Sequence, residues 1–277
     1  MKSFTMKALA VAVLGLAGVG SAMAACPTDP AAPAGPWASK SVSAATLSIC
    51  PGGASCGTVT SGMNGTNCAL VVGTAVGASA LAKSFVTDTS PNNEPRYRMR
   101  VYFDVSALVT AGFTSGLKQV KIYDSASTTS PANTPNTEVG VFLAGGSPPS
   151  LKVNVANSDS GSAFTTISIP LTGGTPTSGT TNVKRFEFDL QQGASSGANC
   201  ASITPTGGCF RYWLSDDTAT TADATPNGTL AVTNTGWSGV KQTSVGILTA
   251  NPSYRLTNGS LLEFDEFDSR RQTFIGK

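Results

Sequence analysis

Arg96-Tyr97-Arg98-Met99-Arg100-Val101-Tyr102-Phe103-Asp104 alternates, residue by residue, between a basic or polar series and an apolar one. Successive side chains on an extended chain point to opposite faces. Tyr97, Met99, Val101, Phe103 and Val105 therefore fall on one side, and Arg96, Arg98, Arg100, Tyr102 and Asp104 on the other. This pattern predicts a strand with one face against a core and the other toward solvent or a second layer. An antiparallel sandwich supplies both surroundings.

Working outward, strand-like runs recur at roughly 10 to 20 residue intervals, separated by Gly, Pro, Asn and Ser. They fall at residues 45–49, 68–72, 82–87, 96–105, 119–123, 138–143, 151–155, 164–169, 183–190, 210–215, 229–233, 244–248 and 260–267. Short strands throughout and few helical patterns predict an all-β fold, a two-sheet antiparallel β-sandwich of jelly-roll type. All-β domains of about 200 to 250 residues are ordinary. The predicted organisation is a signal peptide over 1–24, a Pro/Ala-rich linker over 25–36 and one sandwich over 37–277. Two smaller sandwiches divided in the Thr/Gly/Pro stretch 172–182 are the alternative.

Lys2 and Lys7 flank a short basic start, residues 8–20 are almost wholly apolar, and Ser21-Ala22-Met23-Ala24 presents small residues at the positions a signal peptidase reads. That apolar run is shorter than the roughly 20 residues a transmembrane helix needs, and none like it recurs. The expected location is secreted or periplasmic. The alternative is a lipid anchor through Cys26, because Met23-Ala24-Ala25-Cys26 resembles a lipobox with Met in place of its usual Leu.

Six cysteines in an exported chain predict disulfides, since no CxxC or paired zinc spacing occurs. Lipidating Cys26 would leave an odd thiol among the other five. Cys200 and Cys209 bracket a short Thr/Pro/Gly loop and are the expected local pair; Cys26, Cys50, Cys56 and Cys68 keep three connectivities open. Cleavage after Ala24 removes two lysines and no acid, so 16 basic side chains face 16 acidic ones. No global field draws the chain to nucleic acid or an anionic membrane. The absence of histidine excludes Ser/His/Asp, Cys/His and histidine general-base chemistry.

Near the other end, Phe264-Asp265-Glu266-Phe267-Asp268-Ser269-Arg270-Arg271 puts Phe264 and Phe267 on opposite faces of an unbroken strand, unless a bulge re-aims one of them. This segment, together with Glu94-Pro95-Arg96-Tyr97-Arg98 and Val101-Tyr102-Phe103-Asp104, resembles the YRxRxYFD and closing FDEFxSRR motifs of exported bacterial proteins with a laminin-G-like, concanavalin-type jelly roll. The resemblance spans about 37–277, with specificity in those two motifs. It implies a two-sheet sandwich and, by analogy of fold, glycan recognition without an enzyme. The chain departs from that pattern in lacking the usual late histidine and in its long Thr/Ser/Gly-rich middle, 125–181.

Candidate chemistry is sparse. Glu263, Asp265, Glu266 and Asp268 invite comparison with the ExDxxE strand of concanavalin-like glucanases, and a glycoside hydrolase using them is one reading. Here the closing Glu is Asp, and without a bulge Asp268 faces away from Glu263 and Asp265. The acids are read instead as partners of Arg270, Arg271 or the Arg96, Arg98, Arg100 row. If solvated, that row is a candidate surface for an anion or a uronic acid. Asp216, Asp217 and Asp223 are a candidate calcium site with no EF-hand spacing. Trp237, in a turn, and Tyr254 are the candidate rings for stacking on a sugar, while Trp213 is assigned to the core and Trp37 to anchoring the N-terminus. The expectation is a non-catalytic, carbohydrate-binding or surface-interaction module whose partner is a glycan or cell-surface polymer; a structural, self-associating extracellular protein is the alternative.

Overall fold

The computed structural model describes residues 26–270 except 34, 52–67, 75–76, 78–81, 92, 105–112, 114–117, 128–136, 158–163, 172–182, 195–199, 201–206, 217–224, 236–238, 253 and 255–260. Fourteen strands are present among them: β1 Ser39–Ser43, β2 Ala45–Pro51, β3 Cys68–Thr74, β4 Lys83–Asp88, β5 Arg96–Asp104, β6 Gln119–Ala126, β7 Thr137–Ala144, β8 Ser150–Ala156, β9 Phe164–Pro170, β10 Val183–Gln191, β11 Cys209–Asp216, β12 Gly228–Ala231, β13 Gln242–Ala250 and β14 Leu261–Arg270. Thirteen coincide with the predicted runs. The addition, β1, carries one apolar residue, Val42, which is exposed, and so has no alternation to read.

Two seven-stranded antiparallel sheets result, ordered β1-β4-β13-β6-β7-β8-β9 and β12-β11-β10-β5-β14-β3-β2. Strands from either side of 172–182 interleave in both sheets: β13 lies between β4 and β6, and β10 beside β5. The core lies between the sheets. Val120, Tyr123, Val141, Val153 and Val245 of the first sheet meet Tyr97, Met99, Val101, Phe103, Phe186, Phe188 and Phe264 of the second. Phe188 is a hub, with its ring centroid 5.5 Å from Tyr123 edge-on and 5.5 Å from Phe210. Within the first sheet, β4 and β13 approach closely where β13 bulges against β6: Gly246 has φ 132°, and a Cβ there would stand 2.4 Å from the Ser84 carbonyl oxygen.

β5 is central in its sheet, flanked by β10 and β14. Its alternation is as predicted, with Tyr97, Met99, Val101 and Phe103 in the core and the arginine row on the outer face. That outer row is buried as well, since Arg98, Arg100, Tyr102 and Asp104 are all 7% exposed or less.

Two aromatic assignments need correction. Tyr254, expected to stack on sugar, is fully buried and meets Phe113 edge-on at 6.0 Å. The Asn251 side chain pins it there, accepting the backbone N–H of both Gln119 and Tyr254 and folding the turn against β6. Trp213 is buried, but not between the sheets: it pairs with Glu187 on β10 and shares the outer face, while its neighbour Tyr212 packs on the core.

Candidate functional site

The outer face of the second sheet gathers the chain's charge. Three neighbouring strands, β11, β10 and β5, present Arg211, Arg185, Glu187, Asp189, Arg96, Arg98, Arg100 and Asp104 at positions that alternate with core residues. Five guanidiniums thus stand with three carboxylates. Asp189 is the anchor. Its Oδ1 accepts Arg96 Nε at 3.1 Å and its Oδ2 accepts Arg96 Nη2 at 2.9 Å, a two-point fork, while Arg211 Nη2 donates to the same Oδ2 from the other side. Glu187 Oε1 holds Arg98 Nη2 at 3.3 Å.

Aromatic rings complete the arrangement. The Arg98 and Arg211 guanidiniums lie 4.8 and 5.8 Å from the Trp213 ring, and Arg100 lies 5.4 Å from Tyr102. Burial draws the Arg98 guanidinium below its ordinary value, opposed by Asp189 and Glu187 and reinforced by Arg211 and Arg96. A cation in such a position keeps its charge because acids face it.

On the other side of β5, β14 supplies the acids. The register sets Glu263 opposite Asp104, Asp265 opposite Tyr102, Asp268 opposite Arg100 and Arg270 opposite Arg98, with a bulge between Asp265 and Asp268. Residues directly opposite one another share a face. The bulge therefore corrects the unbroken-strand expectation: Glu263, Asp265 and Asp268 stand together on the outer face. Phe264 is core and Phe267 packs on the core, its ring 4.9 Å from that of Trp37. Trp37 anchors the N-terminal segment as expected. Glu263 is buried; Asp265 and Asp268 are half-buried. The outer face is bipolar, guanidinium-rich from β11 to β5 and carboxylate-rich along β14.

The Cys200–Cys209 disulfide is present, and a second joins Cys26 to Cys68. Cys50 is also oxidised, while Cys56 lies outside the described residues. With its sulfur in a disulfide, Cys26 has no thiol to carry a thioether lipid. The disulfides are consistent with an extracellular location. No helix among the described residues is long and apolar enough to cross a membrane. The predicted signal segment, Trp237, Asp217, Asp223 and Arg271 lie outside the described residues, as do the side chains of Asp216 and Arg270. Among the described residues, no group of three or more His, Cys, Asp or Glu is placed to hold a metal ion.

Sequence reasoning missed Arg185, Glu187, Asp189 and Arg211, although the signal was present. In Arg185-Phe186-Glu187-Phe188-Asp189-Leu190 the charges alternate with aromatic and apolar residues as regularly as they do in β5.

No family model matches the sequence, and no curated protein matches it. Solved structures do match. An endo-β-1,4-glucuronan lyase from the fungus Trichoderma reesei is 14% identical, covering 86% of this chain and 92% of its own, with a TM-score of 0.53. An alginate lyase is 12% identical over 73% of this chain and 80% of its own (TM-score 0.48), and a cellulose-induced protein is 14% identical over 87% and 93% (TM-score 0.47). The likeness to the glucuronan lyase confirms the β-sandwich. That protein is an enzyme, so the step from jelly roll to a non-catalytic protein fails, and the expectation that the chain is no enzyme is corrected.

Proposed function

We propose that the protein is an exported enzyme of acidic polysaccharides, cleaving a uronate-containing chain by elimination at the outer face of the second sheet. The bipolar face carries the proposal, because elimination next to a carboxylate needs a cation and a base side by side. A guanidinium paired with the uronate carboxylate lowers the cost of the carbanion formed when the neighbouring C–H is broken. A carboxylate within reach takes that proton. The electron pair then forms the double bond as the glycosidic C–O bond breaks, and the departing oxygen takes a proton.

In this proposal the Arg96, Arg98, Arg100 row neutralises the uronate. Asp189 and Glu187 hold the forks so that little reorganisation accompanies binding. Asp265, half-buried and opposite Tyr102, is the base and passes the proton it has taken to the leaving oxygen. The glycan partner expected from the sequence becomes the substrate.

The test is incubation of the mature protein with uronate polysaccharides and with neutral β-glucans, reading both ultraviolet absorbance of the unsaturated uronate and new reducing ends. Absorbance and ends rising together on a uronate polymer, with a loss of about 100-fold or more in Asp265→Asn at unchanged melting temperature, is the expected result. Reducing ends without absorbance would replace elimination by hydrolysis. Neither signal on any uronate polymer would overturn the proposal.

A further inference from the structure

At the flank where β1 and β2 meet, the sheets part around a cavity of about 460 Å³. Leu70, Val101 and Phe264 line it from the second sheet and Val245 from the first, all of them core-facing side chains. Its outer wall is Trp37, packed at a tilt against Phe267. Polar side chains stand at two places: Asp88, at the end of β4, with Ser90, and Asp265 of β14.

The cavity is half open to solvent, so apolar side chains that belong to the core face water there. Elsewhere protein cores pack to the density of organic crystals, and leaving such a lining uncovered is costly. Here the walls cannot simply close. The segment from Cys26 to Trp37, whose Pro27 and Pro36 line the cavity, is tied to β3 by the Cys26–Cys68 disulfide. It is folded on itself by Ala32 N–H to Trp37 carbonyl at 2.8 Å and Trp37 N–H to Pro30 carbonyl at 3.1 Å, and Ala38 N–H donates to the Thr87 carbonyl on β4. The volume falls within the roughly 300–1,000 Å³ of small-molecule sites, which share this plan of an apolar body with a few convergent polar groups.

The polar end sets the ligand chemistry. Asp88 accepts the Ser90 N–H on Oδ1 at 2.8 Å and the Ser90 hydroxyl on Oδ2 at 3.0 Å, which fixes the carboxylate while leaving acceptor positions on both oxygens. A fixed carboxylate repels an anion and accepts hydrogen bonds from a donor.

We propose that the cavity binds a small aromatic or alkyl molecule ending in a hydrogen-bond donor, an amine or an alcohol, with its apolar body between the sheets and its donor at Asp88. The cavity shares Asp265 with the face of the catalytic proposal, but its test reads dye binding and not catalysis, so either proposal can fail without the other.

The test is titration of the intact protein with N-phenylnaphthylamine, an uncharged aromatic amine that fluoresces in apolar surroundings, and with anilinonaphthalene sulfonate, an anion of similar size. A saturable rise with the amine, at one molecule per chain, is expected, with the sulfonate at least about tenfold weaker. Val101→Phe and Ile49→Phe fill the cavity from core-facing positions and should each weaken the amine at least about tenfold, while Val42→Phe on the exposed edge leaves it unchanged. Thermal melts identify which variants fold, and Ile49→Phe, the smaller intrusion, decides the matter if Val101→Phe does not. No saturable rise, equal affinity for the sulfonate, or amine affinity unchanged in a folded cavity-filling variant would overturn the proposal.

Discussion

Glu138 and Asp124 show how far burial moves a single carboxyl group. Both lie on the first sheet, Asp124 on β6 and Glu138 on β7, at 1% and 2% exposure. Burial pushes Asp124 up to about 6 although the Lys121 ammonium beside it pulls the other way. Burial pushes Glu138 up to about 8, with a Ser127 hydrogen bond opposing and the Asp124 charge adding to the rise. A carboxyl whose folded value exceeds its unfolded one keeps its proton longer in the native state, so native protein binds more protons and stability falls as pH rises between the two values. For Glu138 that window runs from its ordinary 4.5 to about 8. Melting temperature should therefore drop across it in the wild type, and Glu138→Gln should remove most of that drop. A slope that is the same in both proteins would show that Glu138 ionises freely in the fold. Legibility at this scale depends on regular neighbours. Arg98 is placed by the alternation around it, whereas Tyr254 sits in Asn251-Pro252-Ser253-Tyr254, whose composition reads as a surface turn. Its burial comes from one side-chain amide reaching β6, a contact that no local pattern announces.

The bulge in β14 is the element on which the candidate site depends. An insertion in one strand turns every later side chain to the other face, and here it lets Phe264 and Phe267 both serve the core while Asp268 joins Glu263 and Asp265 outside. Deleting Glu266 would remove the extra residue and leave strict alternation, with Phe267 still inward opposite Val101 and Asp268 still outward opposite Arg100. Both faces of the strand are then kept, so urea unfolding of the deletion should show a loss of less than about 2 kcal/mol, whereas Phe267→Ala, which removes the aromatic contact itself, should cost about 3 kcal/mol or more. A loss of that larger size in the deletion would mean that the extra residue, and not the faces it sets, holds the strand in place. The two phenylalanines three residues apart reveal the need for a bulge; its position depends on β5, because only pairing with Tyr102 and Arg100 fixes where the ladder slips. The same dependence on partners hid β1, a Ser-rich edge strand recruited by β4.

Across the whole molecule, the order of strands ties the chain's two ends together. The last strand, β14, lies between β5 and β3 in the middle of the second sheet, and the segment preceding β1 folds over Phe267 and is locked to β3 by Cys26–Cys68. Strand positions were legible in sequence because each needs only its own pattern. Partner order was not, because it is settled by contacts between residues far apart in the chain. The disulfides make this difference measurable. Cys26–Cys68 closes a separation of 42 residues and Cys200–Cys209 one of 9. By loop-closure entropy the first restricts the unfolded chain by about 4 kcal/mol and the second by about 3 kcal/mol. The long bridge does more than its entropy, since it also holds the segment that walls the inter-sheet cavity. The Cys26→Ser/Cys68→Ser protein should therefore lose more stability in urea than Cys200→Ser/Cys209→Ser, and should also expose Trp37, seen as a red shift in tryptophan emission under native conditions that the second variant lacks. If the short bridge proves the costlier one to remove, the N-terminal segment is held by its packing on Phe267 and its hydrogen bonds to β4, with the disulfide only confirming a position the chain already takes.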